Sequence, residues 1–246
     1  MRTTITTILL VASTVLTPAQ NLEFFKNEKG KKGVKNNKGE IIIKPEYDFV
    51  YSFAQGIIAV NKGGNIYDEE ANADGGKWGF FNFSGKEITP LKYDNARPLS
   101  NSIHNPFVAV NRGCNGSSLG YCSDGLWGII DKTGEEIVSL KYNYIETALV
   151  SNETQVALVE LNKKFGYIDA TNGKEITPIK YDEARLFRWN SVAKVRLNDK
   201  WGIIDKTGKE LTPQIYDEIS NFENDTVKVK LGNREFYIDK YGNEVK

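Results

Sequence analysis

The 246-residue chain balances 32 Lys and Arg against 32 Asp and Glu, so no global field favours nucleic acid or anionic lipid as a partner. One Met and one His beside 22 Gly, 12 Tyr and 12 Phe suit strands and tight turns, not a packed helical bundle. The length allows one large domain or two small ones.

The first residues stand apart. Arg2 is the only charge before Glu23, and Ile5 to Leu16 is apolar and Thr-rich. Thr17-Pro18-Ala19 then places small residues at the last and third-last positions before a cut. This pattern predicts a secretory signal peptide over 1–19, cleaved after Ala19. About twelve apolar residues fall short of the ~20 that a spanning helix needs, so no membrane insertion is expected after cleavage. No Cys follows the cut to carry a lipid. A secreted or periplasmic protein is expected.

From residue 22 onward one unit recurs. Lys77-Trp78-Gly79-Phe80-Phe81-Asn82-Phe83-Ser84-Gly85 returns as Leu126-Trp127-Gly128-Ile129-Ile130-Asp131-Lys132-Thr133-Gly134. It returns again as Lys200-Trp201-Gly202-Ile203-Ile204-Asp205-Lys206-Thr207-Gly208. A copy at Lys164-Phe165-Gly166-Tyr167-Ile168-Asp169 replaces Trp by Phe, and degenerate copies lie at Lys32-Gly33-Val34 and Arg234-Glu235-Phe236. The second glycine falls at Gly39, Gly85, Gly134, Gly173, Gly208 and Gly242. Eight residues after each of the first five stand Tyr47, Tyr93, Tyr142, Tyr181 and Tyr216, each followed by Asp except where Asn143 takes its place. A fixed motif recurring at such spacing marks a repeat array.

Each unit predicts a three-stranded antiparallel meander, with units at about 22–55, 56–104, 105–152, 153–188, 189–223 and 224–246 of a repeat domain spanning 20–246. A β-rich run such as Ile57-Ile58-Ala59-Val60 leads through a turn into the aromatic-Gly strand. Asp131, Asp205 and Asp239 are expected to cap the next turn through their side chains. Pro-x-x-Tyr-Asp then ends the last strand and connects to the next unit. Both faces of the aromatic-Gly strand are apolar, so neighbouring units should cover it, with Trp78, Trp127, Phe165 and Trp201 as the repeat core. The adjacent glycine leaves room for close backbone approach or a bulge. In the last unit Val227, Val229 and Leu231 alternate with Thr226, Lys228 and Lys230, which leaves one polar face. Open arrays need such end units, so the expected fold is all-β: six units in an open stacked array, with a six-bladed propeller as the alternative.

These motifs resemble the WG-repeat family, β-rich bacterial repeats written Lys-Trp-Gly-aromatic-Ile-Asp-x-x-Gly-Lys and then Pro-x-x-Tyr-Asp. The resemblance covers nearly all of residues 22–246. It implies an exported or interaction-related repeat protein, with no common activity, cofactor or catalytic residue to carry over. The departures are the copies without Trp, at Gly33, Phe165 and Glu235, and two long insertions.

The insertions, 61–76 and 111–125, enlarge the same hairpin turn in consecutive units. They should project as neighbours from one edge and mark a binding face. Tyr67, Asp68, Glu69, Glu70, Asp74 and Tyr121 are the candidate binding residues. Those four carboxylates suit Ca²⁺ chemically, but their spacing is not that of an EF-hand loop, and a solvated acidic loop is the plainer expectation. Cys114 and Cys122 predict a disulfide closing the second insertion, and the single His104 leaves too few ligands for zinc. No metal or cofactor is expected. Tyr67, Tyr121 and Trp189 offer rings on which a sugar could stack, and Lys92, Lys141 and Lys180 line one surface, pair with nearby Asp or stay in water. There is no Ser-His-Asp or Cys-His set, no phosphate loop and no singled-out carboxylate pair, so no enzyme is expected. The expected role is a non-catalytic exported scaffold that binds a protein through repeat edges and the two loops. The alternative is a carbohydrate or cell-wall binding module, its partner a glycan of the cell envelope or outside the cell.

Overall fold

The structure is a computed structural model and describes residues 22–53, 56–66, 73–99, 107–115, 117–118, 121–122, 124–147, 156–187, 191–223 and 225–245. The expected signal peptide, His104 and Trp189 lie outside these residues.

Six antiparallel sheets follow one another along the chain. The first holds β1 (Glu23–Lys26), β2 (Lys32–Lys35) and β3 (Ile41–Tyr47). The second holds β4 (Phe49–Phe53), β5 (Ile57–Ile66), β6 (Ala73–Asn82) and β7 (Glu87–Tyr93). The third begins with β8 (Asn95–Pro98) and β9 (Val108–Arg112). A separate hairpin of β10 (Ser117–Ser118) and β11 (Tyr121–Cys122) interrupts it before β12 (Leu126–Ile130) and β13 (Glu136–Tyr142) complete it. The fourth holds β14 (Tyr144–Thr147), β15 (Val156–Leu161) and β16 (Lys164–Asp169). The fifth holds β17 (Glu183–Ala184), β18 (Val192–Leu197), β19 (Lys200–Asp205) and β20 (Glu210–Tyr216). The sixth holds β21 (Glu218–Ile219), β22 (Thr226–Leu231), β23 (Arg234–Asp239) and β24 (Glu244–Val245).

The three strands read from each unit are present in five of the sheets, and a short first strand is added to the second through sixth. The residues after Tyr-Asp pair with the next sheet instead of merely connecting to it. The backbone amide after each repeat tyrosine fixes the register. Asp48, Asp94, Asn143, Asp182 and Asp217 donate their N–H groups to the carbonyls of Asn61, Asn111, Glu160, Arg196 and Lys230 at 2.8–2.9 Å. Only the fourth sheet loses its last strand, which shrinks to the bridges Phe165↔Tyr181 and Ile168↔Glu175. Its turn has one more residue, so Gly173 N–H reaches back to Asp169, four residues, where Gly134 reaches Asp131, three residues back. The longer turn displaces the returning strand.

The capping prediction holds in detail. Asp131 Oδ1 accepts the N–H groups of Thr133 (2.8 Å) and Glu135 (3.1 Å), and Asp205 accepts those of Thr207 (2.8 Å) and Lys209 (3.1 Å). Asp239 does the same for Tyr241 and Asn243. The glycine after Trp earns its place through a bulge. Trp127 faces Tyr142 while Ile129 faces Val138, so the Pro-x-x-Tyr segment and its equivalents bow across the glycine. A Cβ on Gly128 would lie 2.5 Å from the Val138 carbonyl oxygen.

Five apolar clusters occupy the five junctions between successive sheets. Alternation along each second strand feeds two of them. Ile58 and Val60 face the first sheet, whereas Ile57 and Ala59 face the third. Trp78 and Trp127 are buried at the second and third junctions, and the repeat tyrosines are buried at all five. Phe165 and Trp201 are only half-buried against theirs. At the end of the array Val227 and Val229 point inward, while Lys228–Glu235, Lys230–Glu218 and Arg234–Glu244 ion pairs dress the sixth sheet. Leu231 departs from the expected alternation and is 40% exposed. Among the described residues no strand of the sixth sheet pairs with the first, and none of these clusters joins the two.

Candidate functional site

Both insertions grow from one shared base. Val60-Asn61-Lys62-Gly63 opens the first and Val110-Asn111-Arg112-Gly113 opens the second. Asn61 and Asn111 are fully buried at 0% exposure. Asn61 Nδ2 donates to the Gly75 carbonyl (3.1 Å) and its Oδ1 accepts the Gly64 N–H (3.1 Å). Asn111 Nδ2 donates to the Asp124 carbonyl, also at 3.1 Å. Gly76 and Gly125 close the two bases with φ of +69° and +76°, where a Cβ would strike the asparagine oxygens. The three sheets with short turns carry Glu160, Arg196 and Lys230 at this position instead. The sequence signal of these bases is the repeated Asn-Lys/Arg-Gly at matching positions, away from the loop-tip side chains.

Above these bases β5 and β6 continue as a two-stranded ribbon in which Asn65 faces Asp74. The Cys114–Cys122 disulfide ties β11 to the base of the second insertion. Strand β10 lies against β6, so the two insertions are neighbours, as their common position required. Asp124 also caps the second base, its carboxylate accepting the Asn115 N–H at 3.3 Å. Tyr121 pairs through its backbone with Ser118 in β11. Tyr67, Asp68, Glu69 and Glu70 lie outside the described residues.

The residue after each repeat tyrosine clamps the bases to the array. One Asp48 oxygen meets Lys31 and the other accepts the Gly63 N–H (2.8 Å). Asp94 does this with Lys77 and Gly113 (2.7 Å), Asp182 with Lys164 and Asn198 (2.8 Å), and Asp217 with Lys200 and Gly232 (2.7 Å). Burial pushes the Asp48 and Asp94 carboxyls upward, but the donated hydrogen bonds and the lysines outweigh it and hold both below the usual range. For Asp182 and Asp217 the lysine bond leads, followed by the backbone N–H, and both are again lowered. Asn143 breaks the charge pattern, and its lysine is missing too, replaced by Leu126. Its Oδ1 still accepts the Asn162 N–H at 3.0 Å. The lysines before the tyrosines do not form an open ladder. Lys92 and Lys180 reach Glu136 and Glu210 of the following sheets, and with Lys141 they lie 4.8–5.2 Å over their own tyrosine rings.

A groove of about 920 Å³ runs along the first strands of the fourth and fifth sheets to the segment between β21 and β22, walled by Tyr144, Glu146, Phe165, Arg185, Lys194 and Phe222. Beside it Arg185 and Arg196 both approach the Trp201 ring at 5.8 Å and both pair with Glu183. Sequence reasoning missed this groove because its walls are built from positions that differ between copies, which a repeat alignment treats as noise.

The repeat described as WG containing repeat matches residues 33–65, 78–110, 127–165, 165–201 and 201–234. Comparison with curated proteins finds no match. Among solved structures the chain is similar to one described as the crystal structure of the eukaryotic initiation factor, at 9% identity and a TM-score of 0.42, with 94% of this chain and 62% of that chain covered. It therefore spans less than two thirds of that protein's length. It is also similar to the β-propeller domain of Myceliophteria thermophila Cps50 (Swd1), at 10% identity and a TM-score of 0.29, with 92% and 86% covered. Neither likeness speaks to ligand or partner. With five matched segments across most of its length, the chain belongs to the WG containing repeat family.

Proposed function

We propose that this chain is an exported, non-catalytic scaffold that mediates protein–protein interaction through its repeat edges and the insertions 61–76 and 111–125. The observation that carries the reading is the shared base. Two consecutive insertions are anchored by buried asparagines, clamped by Asp48 and Asp94, and set side by side. A rigid array that fixes two adjacent loops is the arrangement by which loops bind on scaffolds. The first strands and their groove supply the repeat edges.

The test shortens both insertions to the two-residue Asn-Asp turn of the fifth sheet. That turn needs only positive φ at Asn198 (50°) and Asp199 (61°), the conformation of tight hairpins. The shortened protein should stay folded and lose its partners in chemical cross-linking from cell-envelope and culture extracts. Capture of the same proteins without the loops would refute the placement. Glycan-array binding with no protein captured would favour the carbohydrate module instead.

A further inference from the structure

The first strands place Arg97, Glu146 and Arg185 at one repeat position, opposite Ala109, Leu158 and Lys194 of the strands beside them. Tyr51 holds that place in the second sheet and Ser220 in the sixth. Where the third sheet meets the fourth, the position is filled. The Arg97 guanidinium lies 4.7 Å over the Trp127 ring and donates to the Ile145 carbonyl of the next sheet. Arg185 likewise approaches Trp201, at 5.8 Å. Where the fourth sheet meets the fifth, Phe165 takes the Trp place, Ala184 the Ile145 place, and Glu146 stands where the guanidinium would. An ionised carboxylate has no hydrogen to donate. Arg185 N–H bonds to the Lys194 carbonyl, so by antiparallel alternation Ala184 turns its C=O away from β18, and among the described residues nothing donates to it. Glu146, Phe165 and Ala184 all line the groove of about 920 Å³.

The charges in the wall point the same way. Of its three carboxylates, Glu183 meets Arg185 and Arg196, and Asp225 meets Lys240. Glu146 accepts the Tyr144 hydroxyl through Oε2 and, among the described residues, pairs with no cation. We propose that this groove takes a guanidinium, presented by an arginine of a protein partner. The group stacks on the Phe165 ring, donates to the Ala184 carbonyl and pairs with the Glu146 carboxylate. Arg97 makes the first two of these contacts from within the chain, to Trp127 and Ile145. The guanidinium suits all three at once, because its flat face meets a ring while its edge carries donors in a fixed fork. A bond between that edge and a carboxylate is charge-assisted and among the stronger polar contacts.

The inference rests on the protein-partner reading proposed above and names the partner's chemistry at one of the repeat edges. The groove owes its opening to a single exchange, Glu146 for the arginine of the neighbouring sheets, so the site belongs to this chain and not to the repeat in general.

The experiment follows the amide NMR shifts of isotope-labelled chain 20–246 during titration with acetyl-Ala-Arg-Pro-amide, which copies residues 96–98. Saturable shifts at Glu146, Phe165 and Ala184 are expected. Citrulline in place of arginine keeps the shape and loses the charge, and should bind about tenfold or more weakly. Glu146→Gln should weaken the arginine peptide by about threefold or more and flatten its salt dependence. Glu146→Arg should supply the guanidinium from within, so that the chain melts higher and no longer binds the peptide. No shifts at these residues up to about 20 mM peptide, equal binding of the citrulline peptide, or equal binding by folded Glu146→Gln would overturn the proposal. Methylguanidinium bound as tightly as the peptide would overturn the assignment to a protein side chain. The peptide meets the groove and not the insertions, so failure here and failure in the loop-shortening experiment are read separately.

Discussion

The third and fifth sheets come from the same repeat, yet they solve each local problem differently. Trp127 is 3% exposed within a cluster that unites the third and fourth sheets. Trp201 is half-buried, with Arg185 and Arg196 5.8 Å from its ring, where Trp127 has Arg97 alone at 4.7 Å. The third sheet carries a disulfide-closed insertion on a buried asparagine, and the fifth carries a two-residue turn with Arg196 in that position. The third hands on to the fourth through neutral Asn143 and Leu126, the fifth to the sixth through Asp217 and Lys200. One backbone plan therefore tolerates a buried joint handed on by a neutral Asn clamp and a half-open one handed on by an ionic clamp. The glycine bulge and the buried tyrosine are common to both.

The largest expected effect tests the buried joint. Trp127→Ala should cost about 3–5 kcal/mol in denaturant unfolding, and Trp201→Ala about half as much, since its ring is already partly in water. Equal losses would erase the distinction between the joints. Reducing Cys114–Cys122, which spans 8 residues, should cost up to about 2.5 kcal/mol by restoring loop-closure entropy to the unfolded chain. The sheet signal in circular dichroism should persist at room temperature, and global unfolding there would mean that the loop holds the array together. Asn111→Ala should cost about 1–3 kcal/mol because it strips the Asp124 carbonyl of its buried donor. Hydrogen exchange should rise across 111–125 and stay unchanged in the fifth sheet.

Acid provides the finest test. Asp217 has a folded pKa below its ordinary 3.8, held there first by Lys200 and then by the Gly232 N–H. Its contribution is therefore complete above that unfolded value and is lost as pH falls through the lower folded one. The fifth-to-sixth joint should loosen under acid before the third-to-fourth joint, whose Asn143 does not titrate. Amide exchange in β22 against β15 reads the order, and Asp217→Asn should abolish the difference. Simultaneous loosening would show that the clamps carry no local stability.

Much of this was legible from residue order because the repeat samples one local solution six times. The glycine beside Trp, the capping aspartates and the two apolar faces of the aromatic-glycine strand each predicted a contact that the structure contains. The loop bases were legible in principle, as Asn-Lys-Gly and Asn-Arg-Gly at matching positions. The first strands escaped because only two to five residues form them, too few for alternation to register. The groove escaped because its walls come from three sheets and from positions that vary.

The sequence by itself determined the strand count of each unit to within one, the turn chemistry, the burial of Trp78 and Trp127 and the neighbourhood of the two insertions. Those properties depend on local φ preference and on side-chain alternation, which residue order carries directly. The tertiary structure alone decided that Tyr-Asp ties one sheet to the next, that Trp201 stays half-open beside a groove, and that the fourth sheet gives up its last strand. Each of these depends on which distant strand arrives alongside, and no residue specifies that until the sheets are stacked.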